Sequence, residues 1–449
     1  VLNSDQIAGF TSVCPIGFDK LSMLANNVPG ISLAAMFPFS YSTRIDPEGL
    51  YLGKTADGGY FFLDLFKNDM NKSNGNICIY GESGYGKSYL LKKIIDQMLI
   101  RPNVGAFSFD YENEYSRLFT KLGGISINAV DNKYMLNPLE VRAFRTFRDD
   151  IEADETDFAA FTYKNFLAQH LSWLKEFMPY VIPYIKGLEL DLLMALINEL
   201  YFTFDITEKS DFENLQPNDY PTFSDLYEFT QKVIDNKKDY ELFRLFPNDN
   251  FANILLMLKD LKDGSLAPMF NGHTYLPTAT KMNINIQELV LGDNHRTQAY
   301  LFNMTTYMWS KIIQRDIHYF FSVDELYLMC DDKYPQAIRF LRSVAKRIRK
   351  YNSFLATSTQ QLGDVLSPEL YTYTAPLFNS PSVKFLFNPG ALDAGLYKKL
   401  TQMSDSEFSI LQSLKAHECL VLVGKNDRYK ITVGALPHEK ELFGKGGGA

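Results

Sequence analysis

The chain of 449 residues contains no apolar run approaching the ~20 residues that a membrane-spanning helix requires. No secretory leader stands at its start. Cysteine is scarce: Cys14, Cys78, Cys330 and Cys419 are far apart and form no C-x-x-C pair. That excludes a disulfide-stapled scaffold. For Cys78 and Cys419, which sit in apolar strand-like runs, it leaves buried, reduced thiols in a cytosolic protein. Six histidines include no H-E-x-x-H and none beside a cysteine, so no structural zinc site is expected. An excess of positive charge is also missing. The net charge of −8 argues against constitutive coating of nucleic acid, but leaves room for a local basic stripe or a channel built by several subunits. There is no convincing internal repeat and no long low-complexity run. The chain starts at Val1, not Met, so a fragment of a longer protein is expected.

What is present is apolar and aromatic. Hydrophobic residues make up 46%, and 35 Phe and 27 Tyr predict an aromatic-rich core. The length suits roughly two or three domains. The most informative stretch is Gly81-Glu82-Ser83-Gly84-Tyr85-Gly86-Lys87-Ser88, followed by Tyr89. It fits the phosphate-loop pattern G-x-x-x-x-G-K-[ST]. An apolar strand (Ile77 to Tyr80) runs in and a helical pattern (Leu90, Leu91, Ile94, Ile95, Met98, Leu99) runs out. Consecutive backbone N–H groups at a helix start wrap anionic phosphates. Lys87 supplies charge to the β- and γ-phosphates, and the Ser88 hydroxyl suits Mg²⁺.

Residues 1–70 carry strand and turn signals, with Tyr51–Lys54 and Gly58–Leu65 resembling hairpin strands. They are expected to lead into the core. Residues 71–138 alternate strand and helix, which predicts the first half of a parallel α/β sheet. Residues 139–281 change to helical periodicity and read as an inserted all-α domain. Within them Thr222-Phe223-Ser224-Asp225 is a capping box. Residues 282–443 resume the α/β pattern and close with an antiparallel pair near 419–433. Residues 444–449 read as a flexible tail.

Hydrolysis needs a carboxylate for Mg²⁺ and a base for water. The strand Tyr319–Val323 ends in Asp324-Glu325, at the sheet edge where ligands bind in parallel α/β folds. Asp324 is the metal-side candidate and Glu325 the general base. Gln360, after the strand Phe354–Thr357, is placed to touch both the γ-phosphate and the water. Asp110, Glu112 and Glu114 follow the second strand. They read as acids holding water or metal from behind its direct ligands, a contact to a neighbouring subunit, or acids at a helix start. Arg339, Arg342, Lys346, Arg347, Arg349 and Lys350 share one side of a helical wheel. That cationic face suits an arginine finger (Arg349), nucleic-acid phosphates, or a plain solvated surface. Arg428 is a second finger candidate. Asn236-Lys237-Lys238-Asp239 matches the guanine-reading N-K-x-D, but it follows an amphipathic helix instead of a buried strand. The lack of an L-S-G-G-Q-like signature disfavours an ABC transporter.

In this order the motifs resemble the VirB4/TraC-like ATPases of type IV secretion and conjugation, in the HerA/FtsK group of RecA-like motors. The likeness runs through the phosphate loop, Phe109–Tyr115, Leu136–Leu139, Pro221–Leu226, Gly264–Gly272, Val323–Glu325, Arg349–Asn352 and Thr359-Gln360. It implies a RecA-like P-loop core with an inserted all-α domain, ATP and Mg²⁺ as ligands, and assembly toward a homo-hexamer. It also implies docking on secretion-channel components at the inner membrane, with the chain cytoplasmic and peripherally attached. Two departures stand out. Asn113 replaces a glycine common in the family, and Gln361 replaces a small residue. The competing expectations are a DNA-translocating ATPase and an assembly scaffold with slow turnover.

Overall fold

The computed structural model describes residues 5–14, 18–21, 28–35, 42–142, 155–314, 317–333, 335–360, 365, 367–390, 394–401 and 403–443. Gln361 and the tail 444–449 lie outside them. Two compact units are distinguished. In the first, residues 1–42, the described elements are two short helices, Gln6–Val13 and Gly30–Ala35. Gln6–Val13 buries none of its residues.

The second unit, residues 43–449, is built on one sheet of twelve strands among the described residues. Seven strands form its parallel part, in spatial order β10 (Val383–Leu386), β4 (Ile77–Tyr80), β9 (Phe354–Thr359), β8 (His318–Val323), β5 (Val104–Asp110), β7 (Lys281–Asn285) and β6 (Ile125–Asn128). Their carboxyl ends share one edge. Beyond β10 the sheet turns antiparallel through β11 (Glu418–Val423), β12 (Asp427–Thr432), β2 (Leu50–Thr55) and β3 (Tyr60–Leu63). The two-residue β1 (Arg44–Ile45) closes that side, parallel to β3.

The central strands β4, β9, β8 and β5 are buried along almost their whole length because both faces are covered, as parallel sheets require. Alternation sorts their side chains. Ile77, Ile79, Val104 and Ala106 join one core with the helix Lys87–Leu99. Cys78, Tyr80, Phe107 and Phe109 join the other, which continues into the helices between β6 and β7. Cys78 and Cys419 are buried, as their apolar strand-like runs predict.

Between β6 and β7 the chain makes an all-α excursion whose main helices are Glu155–Val181, Leu188–Thr203, Phe223–Asp235 and Asn248–Asp263. Thr222 and Asp225 exchange side-chain and backbone hydrogen bonds at the start of the third, the reciprocal cap read from the sequence. The excursion is tied back at buried polar points. Trp173 Nε1 donates to Thr306 Oγ1 at 3.1 Å. Arg142 donates to the Asn303 carbonyl at 2.8 Å and lies over the Trp173 ring at 4.7 Å. The molecule is thus α/β, a mostly parallel sheet flanked by helices with an inserted all-α part.

Candidate functional site

β4 ends at Tyr80 and the chain turns through residues 81–86 before the helix Lys87–Leu99 begins. Gly84 and Gly86 adopt φ of +83° and +104°, a region in which side chains are strained. At Gly86 a Cβ would also lie 2.9 Å from Nδ1 of His417. The turn therefore needs glycine twice. It delivers the first N–H groups of a 13-residue helix, which have no partner within the helix, to the carboxyl edge of the sheet. Lys87 is 7% exposed, and its Nζ donates to the Glu82 carbonyl at 3.2 Å. Burial lowers its pKa, while Glu325, Asp324, Glu112 and Glu82 work to raise it.

Two strands away, β8 ends at Val323 and presents Asp324 and Glu325, which are 5% and 8% exposed. Burial is the main force pushing Asp324 up to about 6, and Asp110 and Glu114 add to it. Tyr115 opposes that shift by donating its hydroxyl proton to Asp324 Oδ2 at 2.9 Å. Burial first, and then the charge of Asp324, push Glu325 up to about 7. Lys87 and a backbone hydrogen bond from Gln360 resist. Glu325 holds a left-handed backbone, φ +55°, uncommon outside glycine. Its Oε2 is buried without a hydrogen-bond partner. Strain and an unsatisfied carboxylate oxygen on one residue are what a functional position accumulates.

These groups meet around one cleft of about 210 Å³. Of the residues singled out from sequence, Ser83, Gly84, Gly86, Lys87, Ser88, Tyr89, Asp324, Glu325 and Gln360 line it. Gly81, Glu82 and Tyr85 shape the loop instead. The Glu82 amide donates to the Asn388 carbonyl at 2.8 Å, and the Tyr85 carbonyl accepts from the His417 amide at 2.9 Å. A Cβ at Gly81 would meet Phe387 Cβ at 2.4 Å. Arg349 and Arg428 are not among the lining residues. Arg349 is exposed beyond the helix Gln336–Arg347, and Arg428 lies 3.5 Å from Glu407. Asn236–Asp239 follows the helix Phe223–Asp235 within the all-α part and also lines no wall of the cleft.

The acidic run after β5 divides by role. Glu112 and Glu114 line the cleft, and Glu114 pairs with Lys92 at 2.9 Å. Asp110 is fully buried and serves the turn. Its oxygens accept from the amides of Glu114 and Tyr115, both at 2.9 Å, and from Asn283 Nδ2 at 3.0 Å. Asn113 has φ +57°. That left-handed conformation is open to glycine and tolerated by asparagine, so the departure from the family pattern keeps the turn. Two participants were not read from sequence. Tyr115 reaches Asp324 only through the fold. His417 enters from a turn whose sequence carries no distinguishing signal.

A family model described as the central domain of helicase HerA matches residues 64–269. The structure of VirB4 from Thermoanaerobacter pseudethanolicus superposes with a TM-score of 0.75 and 27% sequence identity, covering 89% of this chain and all of that one. An uncharacterized protein of Bacillus anthracis is 24% identical over 92% of this chain and 68% of its own length. Protein TraC of Escherichia coli K12 is 30% identical over 111 residues, which are 24% of this chain and 12% of TraC. Taken together, these matches make this chain similar to VirB4 and TraC, with a match to the HerA central domain over residues 64–269 and the RecA-like P-loop NTPase fold.

Proposed function

We propose that this chain is an ATP-hydrolysing motor subunit that energises a type IV secretion or conjugative transfer channel. One observation carries the reading: Lys87 and the pair Asp324-Glu325 line a single cleft although the whole all-α excursion separates them in sequence. The donor set also fits a magnesium nucleotide. Ser88 offers a hydroxyl, and burial, then the charge of neighbouring carboxylates, raises both Asp324 and Glu325 in pKa, a balance that a bound cation would relieve. Glu325 Oε2 is buried and unpartnered. Ser88 and Asp324 would hold Mg²⁺, which when bound neutralises charge on the triphosphate.

The chain's own residues then divide the work. The loop amides and Lys87 bind the phosphates. Glu325, raised to about 7, is matched to take a proton from the attacking water near neutral pH. Gln360, hydrogen-bonded to Glu325 through its backbone, orients that water and carries the γ-phosphate state into β9. Arg349 and Arg428, both outside their own cleft, are the candidates for a finger given to a neighbouring copy in a hexamer. Arg428 must first leave Glu407. Attachment to channel components at the cytoplasmic face of the inner membrane belongs to the same proposal. Among the described residues no helix is long and apolar enough to cross a membrane.

A second reading, DNA translocation, is favoured by one feature. Arg339, Lys346, Arg347, Arg349 and Lys350 are exposed together, and no carboxylate among the described residues pairs with them. The test is Mg²⁺-dependent ATP turnover by the purified chain, alone, with channel partners and with DNA. Turnover lost in Lys87→Ala and stimulated by partners supports the motor. Stimulation by DNA alone, falling steeply with salt, supports translocation. Nucleotide binding without turnover under any condition leaves an assembly scaffold.

A further inference from the structure

We infer that His417 forms the nucleoside end of the cleft and touches the ribose or base of the bound nucleotide, an inference that rests on the nucleotide reading above. The strand order carries it. β4 delivers the phosphate loop, and on one side β9 and β8 bring Gln360, Asp324 and Glu325. On the other side lie β10 and then β11, which runs antiparallel to β10. The start of β11 therefore returns to the same carboxyl edge, and His417 immediately precedes it. A triphosphate bound at Lys87, with its reacting end against Glu325, extends its other end away from β8, toward β10, β11 and His417. His417 lines the same cleft as Glu325 and lies edge-on to Tyr89 at a centroid distance of 6.1 Å.

The imidazole is held for that task. His417 has φ +68°, a left-handed backbone uncommon outside glycine that fixes the direction of its side chain. Its amide donates to the Tyr85 carbonyl at 2.9 Å, and its carbonyl accepts from the Val433 amide at 2.8 Å. The turn before it is pinned by Asn388. That side chain donates to the carbonyls of Gln412 and Leu414 at 2.8 and 3.1 Å, while the Asn388 carbonyl accepts from the Glu82 amide at 2.8 Å. His417 is thereby fixed to the phosphate loop at both Glu82 and Tyr85. Its backbone is spent on that anchorage and its ring faces the cleft.

The competing role is mechanical, the ring propping Gly86 with no ligand contact. Calorimetric titration of the whole chain with Mg²⁺·ADP and Mg²⁺·tripolyphosphate separates the two. His417→Asn keeps a residue that tolerates the left-handed backbone and removes the ring, and His417→Gly is the second variant. ADP affinity is expected to fall about tenfold in both, the size of one aromatic contact. Tripolyphosphate affinity stays within about twofold, which also shows that the variants fold. Unchanged ADP affinity overturns the inference. So does equal loss of both ligands, which is the mechanical outcome. A wild-type chain that binds neither ligand rejects the nucleotide reading itself, and this inference with it.

Discussion

Replacing Glu325 by glutamine tests the site and its electrostatics in one variant. The carboxyl is pushed from its ordinary 4.5 up to about 7, first by burial and then by Asp324. The folded chain therefore holds a proton that the unfolded chain releases. Stability falls as pH rises from about 4.5 to about 7, and the full deficit persists above. At ~1.4 kcal/mol for each pH unit of displacement, the deficit is on the order of 3 kcal/mol at pH 8 and below about 1 kcal/mol at pH 5. Glutamine cannot ionise and escapes it. Without Mg²⁺ and nucleotide, Glu325→Gln is expected to be more stable than wild type at pH 8 by roughly 1–3 kcal/mol in urea unfolding, with the gain shrinking at pH 5. The same variant should bind Mg²⁺·ATP and lose roughly 10²- to 10⁴-fold in turnover. A variant less stable than wild type at pH 8 refutes the buried-acid electrostatics, and one with wild-type turnover refutes the assigned base.

Tyr115→Phe removes the 2.9 Å bond to Asp324 Oδ2. It should destabilise the chain by about 1–2 kcal/mol near neutral pH and move the acid limb of Mg²⁺-dependent nucleotide binding to higher pH, measured by titration between pH 5 and 8. Asn113→Gly should change stability by less than about 1 kcal/mol, whereas Asn113→Val, forced to φ near +57°, should lose about 1–2 kcal/mol in chemical unfolding. Arg349→Ala and Arg428→Ala should lower turnover without weakening ATP binding if either is a finger. Mixing the responsible variant with a Lys87→Ala chain should restore part of the rate, since each supplies what the other lacks across a subunit boundary.

The strands of the parallel region are legible in sequence because each is a short apolar run bounded by polar or glycine-rich turns. Ile77–Tyr80 and Ile125–Asn128 have the expected bounds, and β8 and β9 begin within one residue of theirs. The phosphate loop and Asp324-Glu325 are legible because their chemistry demands particular residues beside a strand. Spatial order is not legible. Nothing local in Val383–Leu386 says that it pairs with β4, or that β12 carries the sheet onward into β2. Those pairings follow from long-range packing. Tyr115 reads as an ordinary core aromatic until the fold sets it against Asp324. His417 becomes a site residue only because an antiparallel strand returns to the active edge. Asp110 shows the reverse: an acid expected near the ligand is consumed by the backbone of its own turn.

The most direct test of the whole account is an experimental structure with Mg²⁺ and a non-hydrolysable ATP analogue. The expected result is one metal–triphosphate in the cleft, with Lys87 and Ser88 on the phosphates and metal from one side and Asp324 and Glu325 facing them from the other. Nucleotide bound elsewhere, or bound at the loop with the acidic pair turned away, would contradict it.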